Sequence, residues 1–319
     1  MANLLSKAQK LDTKPRLSLW ARIVRQVKQN WVLYLMIIPV LAYFIVYCYA
    51  PMYGVTLAFK KWNAKLGITG SQWVGLKHFQ RFFSGYNFKN LLGNTLGISL
   101  YNIAVSFPLP IVLALLLHYL DIKPLKKFVQ MISYAPHFLS TVIIASILIL
   151  FCDRDGFFNI IGSFFGAEAV NLLTKPEYFK HLYVWSDVWA SIGWGAIIYI
   201  AALSGVDQQM HEAAIVDGAN KFQRMLKIDI PSITPTIVML LILKMGGVMS
   251  VGFEKAFLLQ NDLNIRSSQI IATYVYELGL IKADYAFSTA VGLFNNVINV
   301  ILVVSANFFS KKVLKESLW

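Results

Sequence analysis

Residues 212–231 read EAAIVDGANKFQRMLKIDIP and form a short polar connection between two apolar segments of the chain. Residues 207–217 are good helix formers, and Asp207 is a residue type that accepts backbone N–H groups at a helix start. Gly218 permits the left-handed backbone conformation that ends many helices. Pro231 stands at the start of the next apolar segment, where its missing N–H costs little. The pattern predicts a short helix that connects two membrane spans.

Apolar segments long enough to cross a bilayer lie on both sides of this connection. A helix needs about 20 apolar residues to span the hydrocarbon core. Hydrophobic residues make up 57% of the 319-residue chain and charged residues only 14%, unlike the composition of a soluble domain. We therefore predict an all-α membrane protein with six transmembrane helices. The predicted spans are 31–50, 94–120, 128–151, 182–203, 232–251 and 286–309.

Basic side chains flank the spans and indicate how the chain is oriented. The segment 1–30 holds seven Lys and Arg against one Asp, and the tail 310–319 holds three Lys against one Glu. Because Lys and Arg are enriched on the cytoplasmic side, both termini are predicted to be cytoplasmic. Residues 52–90 conflict with this orientation, since they would lie outside yet hold six basic residues and no acid.

The chain is predicted to have three parts. They are a basic cytoplasmic segment (1–30), a six-helix transmembrane domain (31–309) that contains the connection 207–231, and a cytoplasmic tail (310–319). The first part contains an amphipathic helix that lies along the inner lipid headgroups or packs on another subunit. Nucleic acid is not an expected partner, because the basic residues flank apolar segments instead of forming one patch. The apolar positions of the helix are Leu17, Trp20, Val24 and Val27.

Two further features narrow the class of protein. The first apolar run, from Trp31 to about Tyr49, is longer than the hydrophobic region of a signal peptide and ends without an Ala-x-Ala site. It is therefore predicted to be a retained span. Cys48 and Cys152 are too few for a disulfide framework or a zinc site, so they either form one bridge or are two small buried apolar residues.

The connection also carries a known motif. Glu-Ala-Ala at 212–214 is followed by three residues, Gly218, nine residues, and Ile-x-x-Pro at 228–231. This pattern resembles the EAA loop of binding-protein-dependent ABC importer permeases. Val206-Asp207 replaces the Ile-Pro that members commonly carry, which is expected to change how the helix begins. Three other segments resemble the carbohydrate-uptake branch, in particular its polysaccharide and lipoprotein permeases: Pro51–Gly54, Trp73–Phe79 and Gly252–Glu254.

The resemblance implies a type I importer of a bacterial cell membrane, with a MetI-like permease bundle. Such an importer has two six-span permeases, two cytoplasmic ATPase subunits that bind ATP and Mg²⁺, and an external solute-binding protein that delivers an oligosaccharide or polysaccharide fragment. The helix at 207–217 would seat in a cleft on the ATPase. Because the chain contains no Walker A sequence, we expect that it does not hydrolyse ATP itself. We expect a transport subunit without a catalytic, cofactor or metal site of its own. The implied coupling residues are Glu212, Ala213, Ala214, Asp217, Gly218, Ile228 and Pro231.

Polar and aromatic side chains within the spans are candidates for the transport pathway. Ionisable residues are costly in a membrane and indicate function by default. Lys244 would lie near the middle of the fifth span, where it lines the route or neutralises an acidic group of a partner. Helix packing is the alternative for each Asn and Trp. The candidates are Asp187, Trp189, Trp194, Tyr199, Lys244, Asn295, Asn296 and Asn299.

A secondary transporter driven by an ion gradient is the alternative function. It would usually show two repeated halves and buried acids, and the chain has no clear repeat and few acids at membrane depth. A membrane-embedded enzyme would need catalytic groups on one face, whereas the five His residues are scattered. The outer-loop residues Lys60, Lys61 and Lys65 dock an acidic binding-protein lobe, attract an anionic oligosaccharide, or are merely solvated.

Overall fold

The computed structural model describes residues 19–313 of the chain. The predicted basic segment 1–30 is therefore described only from Leu19 onward, and the predicted tail 310–319 only as far as Val313. The chain divides into two units, Met1–Val55 and Thr56–Trp319.

The first unit contains an amphipathic helix, Leu19–Gln29, as the spacing of Trp20 and Val27 predicts. Asn30 ends it, and its side-chain amide donates to the carbonyl of Gln26 at 3.2 Å. The first span follows as one helical run from Trp31 to Phe59, longer than the predicted 31–50. Its segments are Trp31–Tyr43, a π-turn at Phe44–Tyr49, Ala50–Met52 and a 3₁₀ turn at Tyr53–Phe59.

The loop after the first span contains a small hairpin. Strand β1 (Lys60–Lys61) pairs antiparallel with β2 (Gln72–Trp73), and short helices occupy Gly67–Gly70 and Lys77–Phe83. Lys60 is only 4% exposed. Its Nζ donates to the carbonyl of Ile68 at 2.7 Å and lies 5.1 Å from the centroid of the Trp73 ring. Of the alternatives for Lys60, a merely solvated side chain is therefore wrong, because this lysine is buried and stabilises the hairpin.

Five helical runs of the described residues are long and apolar enough to cross a membrane, and one bent pair of helices raises the number to six. The second span joins Phe88–Ser106 to Pro108–His118, and the fourth is one helix, Pro176–Ser204. The sixth belongs to the helix Tyr285–Val313. The six-span, all-α architecture matches the prediction, with differences in the third and fifth spans.

The predicted third span, 128–151, is broken into two helical segments. The chain bends by 103° between Lys123–Phe138 and Thr141–Ser163. Pro136 lies in the 3₁₀ turn before the break, and the side chain of Ser140 starts the second segment by accepting the N–H of Ile143 at 3.3 Å. Hydropathy alone predicts a single straight helix here, and the proline followed by an N-cap interrupts it. The segments comprise Lys123–Tyr134, Ala135–Phe138, Thr141–Cys152 and Phe157–Ser163.

The fifth span runs from Lys221 to Met245, so it begins and ends earlier than the predicted 232–251. Asn220 starts it through a capping box with Gln223. A π-turn at Met225–Asp229 then precedes Pro231, whose missing N–H cannot close a normal helical bond. The segments are Lys221–Arg224, Met225–Asp229 and Ile230–Met245. Lys244 therefore lies in the last turn and not in the middle of the span.

The fourth span packs tightly against the Lys123–Tyr134 helix at Gly193. A Cβ atom built on Gly193 would lie 2.2 Å from the carbonyl oxygen of Ser133. Beside it, the rings of Trp194 and His137 stack with centroids 4.3 Å apart. The absence of a side chain at this position lets the two backbones approach closely.

Short helices connect the fifth and sixth spans and pack around Asn264. This residue is fully buried, and its side-chain amide donates to the carbonyls of Leu173 at 2.9 Å and Leu259 at 3.0 Å. Cys48 is exposed, Cys152 is buried, and both are free thiols. The remaining elements are Leu172–Thr174, Phe253–Leu259, Ile265–Ser268, Ile271–Tyr276 and Glu277–Ile281.

Candidate functional site

The connecting helix, Gln208–Val216, starts at the predicted cap. The side chain of Asp207 accepts the N–H of Gln209 at 2.9 Å. A carboxylate at this position also complements the positive end of the helix dipole. The departure from Ile-Pro at Val206-Asp207 thus changes how the helix is capped and leaves the helix itself in place.

The connecting helix ends at Gly218, whose φ of +79° lies in the left-handed region. The N–H of Gly218 donates to the carbonyl of Ile215 at 3.0 Å, and the N–H of Ala219 donates to that of Ala214 at 2.8 Å. These two bonds form a Schellman motif. A Cβ atom at Gly218 would meet nothing within 4 Å. The need for glycine here is therefore conformational and not steric.

Most of the predicted coupling residues lie at the surface of the chain. Val216, on the same helix, is an apolar side chain with 87% exposure. A cavity of about 370 Å³ opens beside Gly218 and is bordered by Arg224 and Lys227. The connecting helix thus presents small, apolar and acidic groups next to basic ones. Glu212, Ala213, Asp217, Gly218 and Pro231 are exposed, Ala214 is half-buried and Ile228 is buried.

The buried side of the connecting helix is anchored to the spans through Asp229. This carboxylate is fully buried. Tyr119, at the end of the second span, donates its hydroxyl to Asp229 Oδ2 at 2.5 Å, and His211 Nε2 lies 3.0 Å from Oδ1. Burial, together with the hydrogen bond to Asp229, raises the pKa of Tyr119 above its ordinary value. The anchor joins the second span, the connecting helix and the fifth span.

An exposed ion pair makes a second link between the same spans. Lys221 Nζ lies 2.6 Å from Asp121 Oδ2, and this hydrogen bond lowers the pKa of the Asp121 carboxyl. Because the carboxyl of Asp121 is solvent-exposed, the pair contributes little stability by itself. The buried contacts of Asp229 are the stronger constraint on the position of the connecting helix.

A polar cavity of about 330 Å³ lies among the second, fourth and fifth spans. Asn102, Asp187 and Lys244 supply an amide, a carboxylate and an ammonium group to its lining. Asn102 Nδ2 donates to Asp187 Oδ2 at 2.8 Å. The cavity therefore brings together two of the predicted pathway residues, Asp187 and Lys244, with an asparagine that the prediction did not include.

The other oxygen of Asp187 faces a buried lysine. Lys255 Nζ lies 3.6 Å from Asp187 Oδ1 and donates to the carbonyl of Tyr183 at 2.8 Å. It also lies 4.4 Å from the centroid of the Tyr183 ring. A buried ammonium requires such partners, since desolvation of an unpaired charge is costly. Asp187 and Lys255 therefore compensate each other.

Lys244 is the cationic group of the cavity without such compensation. Its side chain is exposed, and it forms no ion pair within residues 19–313. Two lysines against one aspartate leave the surroundings of the cavity with one net positive charge. Lys244 is free to contact an anion that enters the cavity.

The aromatic candidates lie away from this cavity. Trp189 lines a separate, apolar cavity of about 430 Å³ together with Trp185. Trp194 stacks on His137 at the junction described above. Tyr199 is buried in a hydrophobic cluster of the second, fourth and fifth spans. Their surroundings indicate packing or lipid contact more than contact with a polar solute.

The asparagines of the sixth span do not line this cavity. Asn295 and Asn296 line a separate cavity of about 620 Å³. Asn299 accepts the N–H of Met249 at 2.9 Å and donates to the hydroxyl of Ser250 at 2.9 Å. Asn299 thus holds the turn that follows the fifth span.

Several residues of the site were missed by the sequence prediction. Asn102 lies within the predicted apolar run 94–120, and a search for all polar residues at membrane depth would have found it. Lys255 lies outside the predicted spans. Neither His211 nor Asp229 carries a sequence signal, because their roles depend on contacts between distant segments.

Comparison with known proteins places these features in a family context. The family model described as "Binding-protein-dependent transport system inner membrane component" matches residues 106–315. The chain is 44% identical over 298 residues to the polygalacturonan/rhamnogalacturonan transport system permease protein YteP of Bacillus subtilis (strain 168), covering 93% of this chain and 92% of YteP. It is 41% identical over 293 residues to Protein LplB of the same organism, with 92% of each chain covered.

The fold is also similar to that of a solved transporter. A chain of a bacterial ABC transporter involved in the import of the acidic polysaccharide alginate superposes with a TM-score of 0.85 and 36% identity. The match covers 92% of this chain and 99% of that chain.

Proposed function

Because the chain belongs to the family of binding-protein-dependent transport system inner membrane components, we propose that it forms half of the translocation pathway of an ABC importer for acidic oligosaccharides. Members of this family are transport subunits, and the ATPase is a separate subunit. The chain is accordingly a carbohydrate importer permease and not an enzyme. The ion-gradient alternative is set aside on the same ground. The acidic character of the cargo is the new part of the proposal.

The exposed Lys244 in the polar cavity carries this proposal. The cavity lining and the buried Lys255 together carry one net positive charge, and such a positive region with amide and hydroxyl groups suits a sugar chain that bears carboxylates. Asn102 and Ser250 supply polar groups that can exchange hydrogen bonds with sugar hydroxyls. The two relatives with named polymers support the same class, since polygalacturonan and alginate both consist of uronic acids.

The connecting helix is proposed to transmit ATPase movements to the spans. Its exposed Glu212 and Asp217 suit a basic cleft, and its short side chains allow close approach of a partner surface. The buried Asp229 links the helix to the second and fifth spans, so that a displacement of the helix moves both. In this arrangement the two states of the ATPase pair bias two states of the bundle.

The remaining partners follow from the same proposal. A second six-span permease completes the pathway, two cytoplasmic ATPase subunits bind ATP and Mg²⁺, and an external solute-binding protein delivers the oligosaccharide. The solved alginate transporter, which is also known with an alginate pentasaccharide-bound periplasmic protein, supports the last of these. The connecting helix, both termini and the basic segment 1–30 then lie on the cytoplasmic side, with the helix Leu19–Gln29 against the lipid headgroups.

Substitution of Lys244 tests the acidic cargo. In liposomes that contain the complete importer and its binding protein, we expect K244Q to reduce uptake of an oligogalacturonate about tenfold at concentrations below saturation. The reason is the loss of one charge-assisted hydrogen bond, which contributes about 1.5–3 kcal/mol. K244R should retain most of the uptake, because it keeps the charge.

The matched control is K312Q, which removes the same charge from the exposed end of the helix Tyr285–Val313 and should transport like the wild type. Equal uptake by K244Q and the wild type would show that the cavity does not contact the acidic groups of the cargo.

A further inference from the structure

Three side chains from three different elements meet beneath the connecting helix. His118 ends the second span, His211 lies in the connecting helix, and Asp229 lies in the π-turn of the fifth span. One nitrogen of each imidazole and one oxygen of the carboxylate all lie within 4.8 Å of one another. His118 lies 93 positions before His211 in the chain, and His211 lies 18 positions before Asp229. The fold thus brings three separate segments together.

Two atoms of this cluster lack the hydrogen bonds that their burial requires. His211 Nε2 and Asp229 Oδ1 belong to side chains that are more than nine-tenths buried, and they lie 3.0 Å apart. Neither forms a hydrogen bond of normal geometry within the described part of the chain. Buried polar atoms are otherwise almost always satisfied, since leaving them unpaired is costly. A single partner bound to both atoms would satisfy them.

The charge of Asp229 is also uncompensated by any arginine or lysine. Among the side chains that the structure describes, no nitrogen of either residue type lies within 4.0 Å of its carboxylate. The guanidinium of Arg224 instead faces the ring of Tyr119, with Cζ 5.7 Å from the centroid. A cation bound between Asp229 and the two histidines would neutralise the buried carboxylate.

The geometry points to a zinc site formed by His118, His211 and Asp229. Two imidazoles and one carboxylate, with a fourth position left for water, are a common ligand set for Zn²⁺. With metal–ligand bonds of about 2.0–2.2 Å, the ligand atoms of a tetrahedral site lie about 3.3 Å apart. The 3.0 Å between His211 and Asp229 is close to that spacing. The nitrogen of His118 lies within 4.8 Å of the other two ligand atoms and would have to approach them to reach the same spacing.

Tyr119 supports this assignment from outside the ligand set. Its hydroxyl donates to Asp229 Oδ2 and leaves Oδ1 directed toward the histidines. Outer partners of this kind orient metal ligands, and their loss typically weakens metal binding 10- to 100-fold. A bound Zn²⁺ would cross-link the second span, the connecting helix and the fifth span. The binding itself does not depend on transport, so it can be tested separately from the proposed function.

The experiment measures zinc in the complete importer, purified without a polyhistidine tag. The complex is stripped with a chelator, loaded with Zn²⁺, desalted, and analysed by plasma mass spectrometry. The wild type should hold one more Zn²⁺ per permease chain than H118A or H211A, because each substitution removes a ligand. The same comparison with Co²⁺ should show the visible absorption of a four-coordinate ion in the wild type alone.

H181A is the matched control, since His181 contacts Tyr101 and is not part of the cluster. It should load zinc like the wild type, and Y119F should bind zinc about tenfold more weakly. The melting temperature in chelator should be equal for the wild type and H118A, and added Zn²⁺ should raise it only in the wild type. Equal zinc content in the wild type, H118A and H211A would overturn the site. The cluster would then be a metal-free histidine–carboxylate contact.

Discussion

Replacing Gly218 with valine is expected to reduce ATP-driven uptake about tenfold and to decrease the amount of ATPase that co-purifies with the permease. Gly218 has a φ of +79°, and a left-handed conformation costs a non-glycine residue about 1–2 kcal/mol, with β-branched residues among the least tolerant. Relief of that strain would unwind the Schellman motif and displace the exposed end of the connecting helix. The measurement is uptake into liposomes, combined with quantification of co-purified ATPase.

Two variants separate backbone strain from other effects. G218N should transport better than G218V, because asparagine tolerates the left-handed region. G166V places the same valine at another glycine with positive φ, outside the connecting helix, and should leave uptake unchanged. If G218N and G218V are equally impaired, the size of the side chain at the docking surface is the cause. If both transport normally, the connecting helix is not the docking element.

Gly193→Ala is expected to have the largest effect on stability. The added Cβ would lie 2.2 Å from the oxygen and 2.4 Å from the carbon of the Ser133 carbonyl, which belongs to helical backbone that cannot easily move. Overpacking of this kind costs about 3 kcal/mol. We expect the melting temperature of the purified importer to fall by about 6 °C or more. The fourth span and the Lys123–Tyr134 helix would separate at this point.

Gly292→Ala is the matched control for this prediction. Gly292 also lies within a membrane-spanning helix, but a Cβ at this position meets nothing within 4 Å. The change should raise stability slightly, since alanine is the better helix former by about 1 kcal/mol. Equal melting temperatures for G193A and G292A would show that the two helices are not packed as closely as described.

Charge rules predict the outer loop less well than hydropathy predicts the spans. The six basic residues of 52–90 conflict with an outside location if each is counted as a free charge. Lys60 is buried in the β1–β2 hairpin, and Arg81 pairs with Asp284 at 2.8 Å. Lys60 is held within its own hairpin, and Arg81 is held by the residue that precedes the helix Tyr285–Val313. The apparent excess of free positive charge in the loop is therefore smaller than the sequence indicates.

The bounds of the spans show where local rules fail. Hydropathy places the third span at 128–151, but it does not register Pro136 and the cap at Ser140, which break the helix. It also places Lys244 at mid-span, whereas the capping box at Asn220 starts the fifth span eleven residues before the predicted position. Caps and prolines act over one turn, so a window of about 20 residues averages them out.

Features that depend on neighbouring residues were readable from the chain itself. The apolar runs and the family motif are patterns of the sequence itself. The Asp207 cap and the glycine-terminated connecting helix depend on hydrogen bonds between residues a few positions apart. The Asn102–Asp187 bond and the Tyr119–Asp229 bond join residues 85 and 110 positions apart. Only packing of the spans creates the cavity around Lys244 and the cluster beneath the connecting helix. Contacts between distant segments depend on how whole helices fit together, and no local pattern encodes that fit.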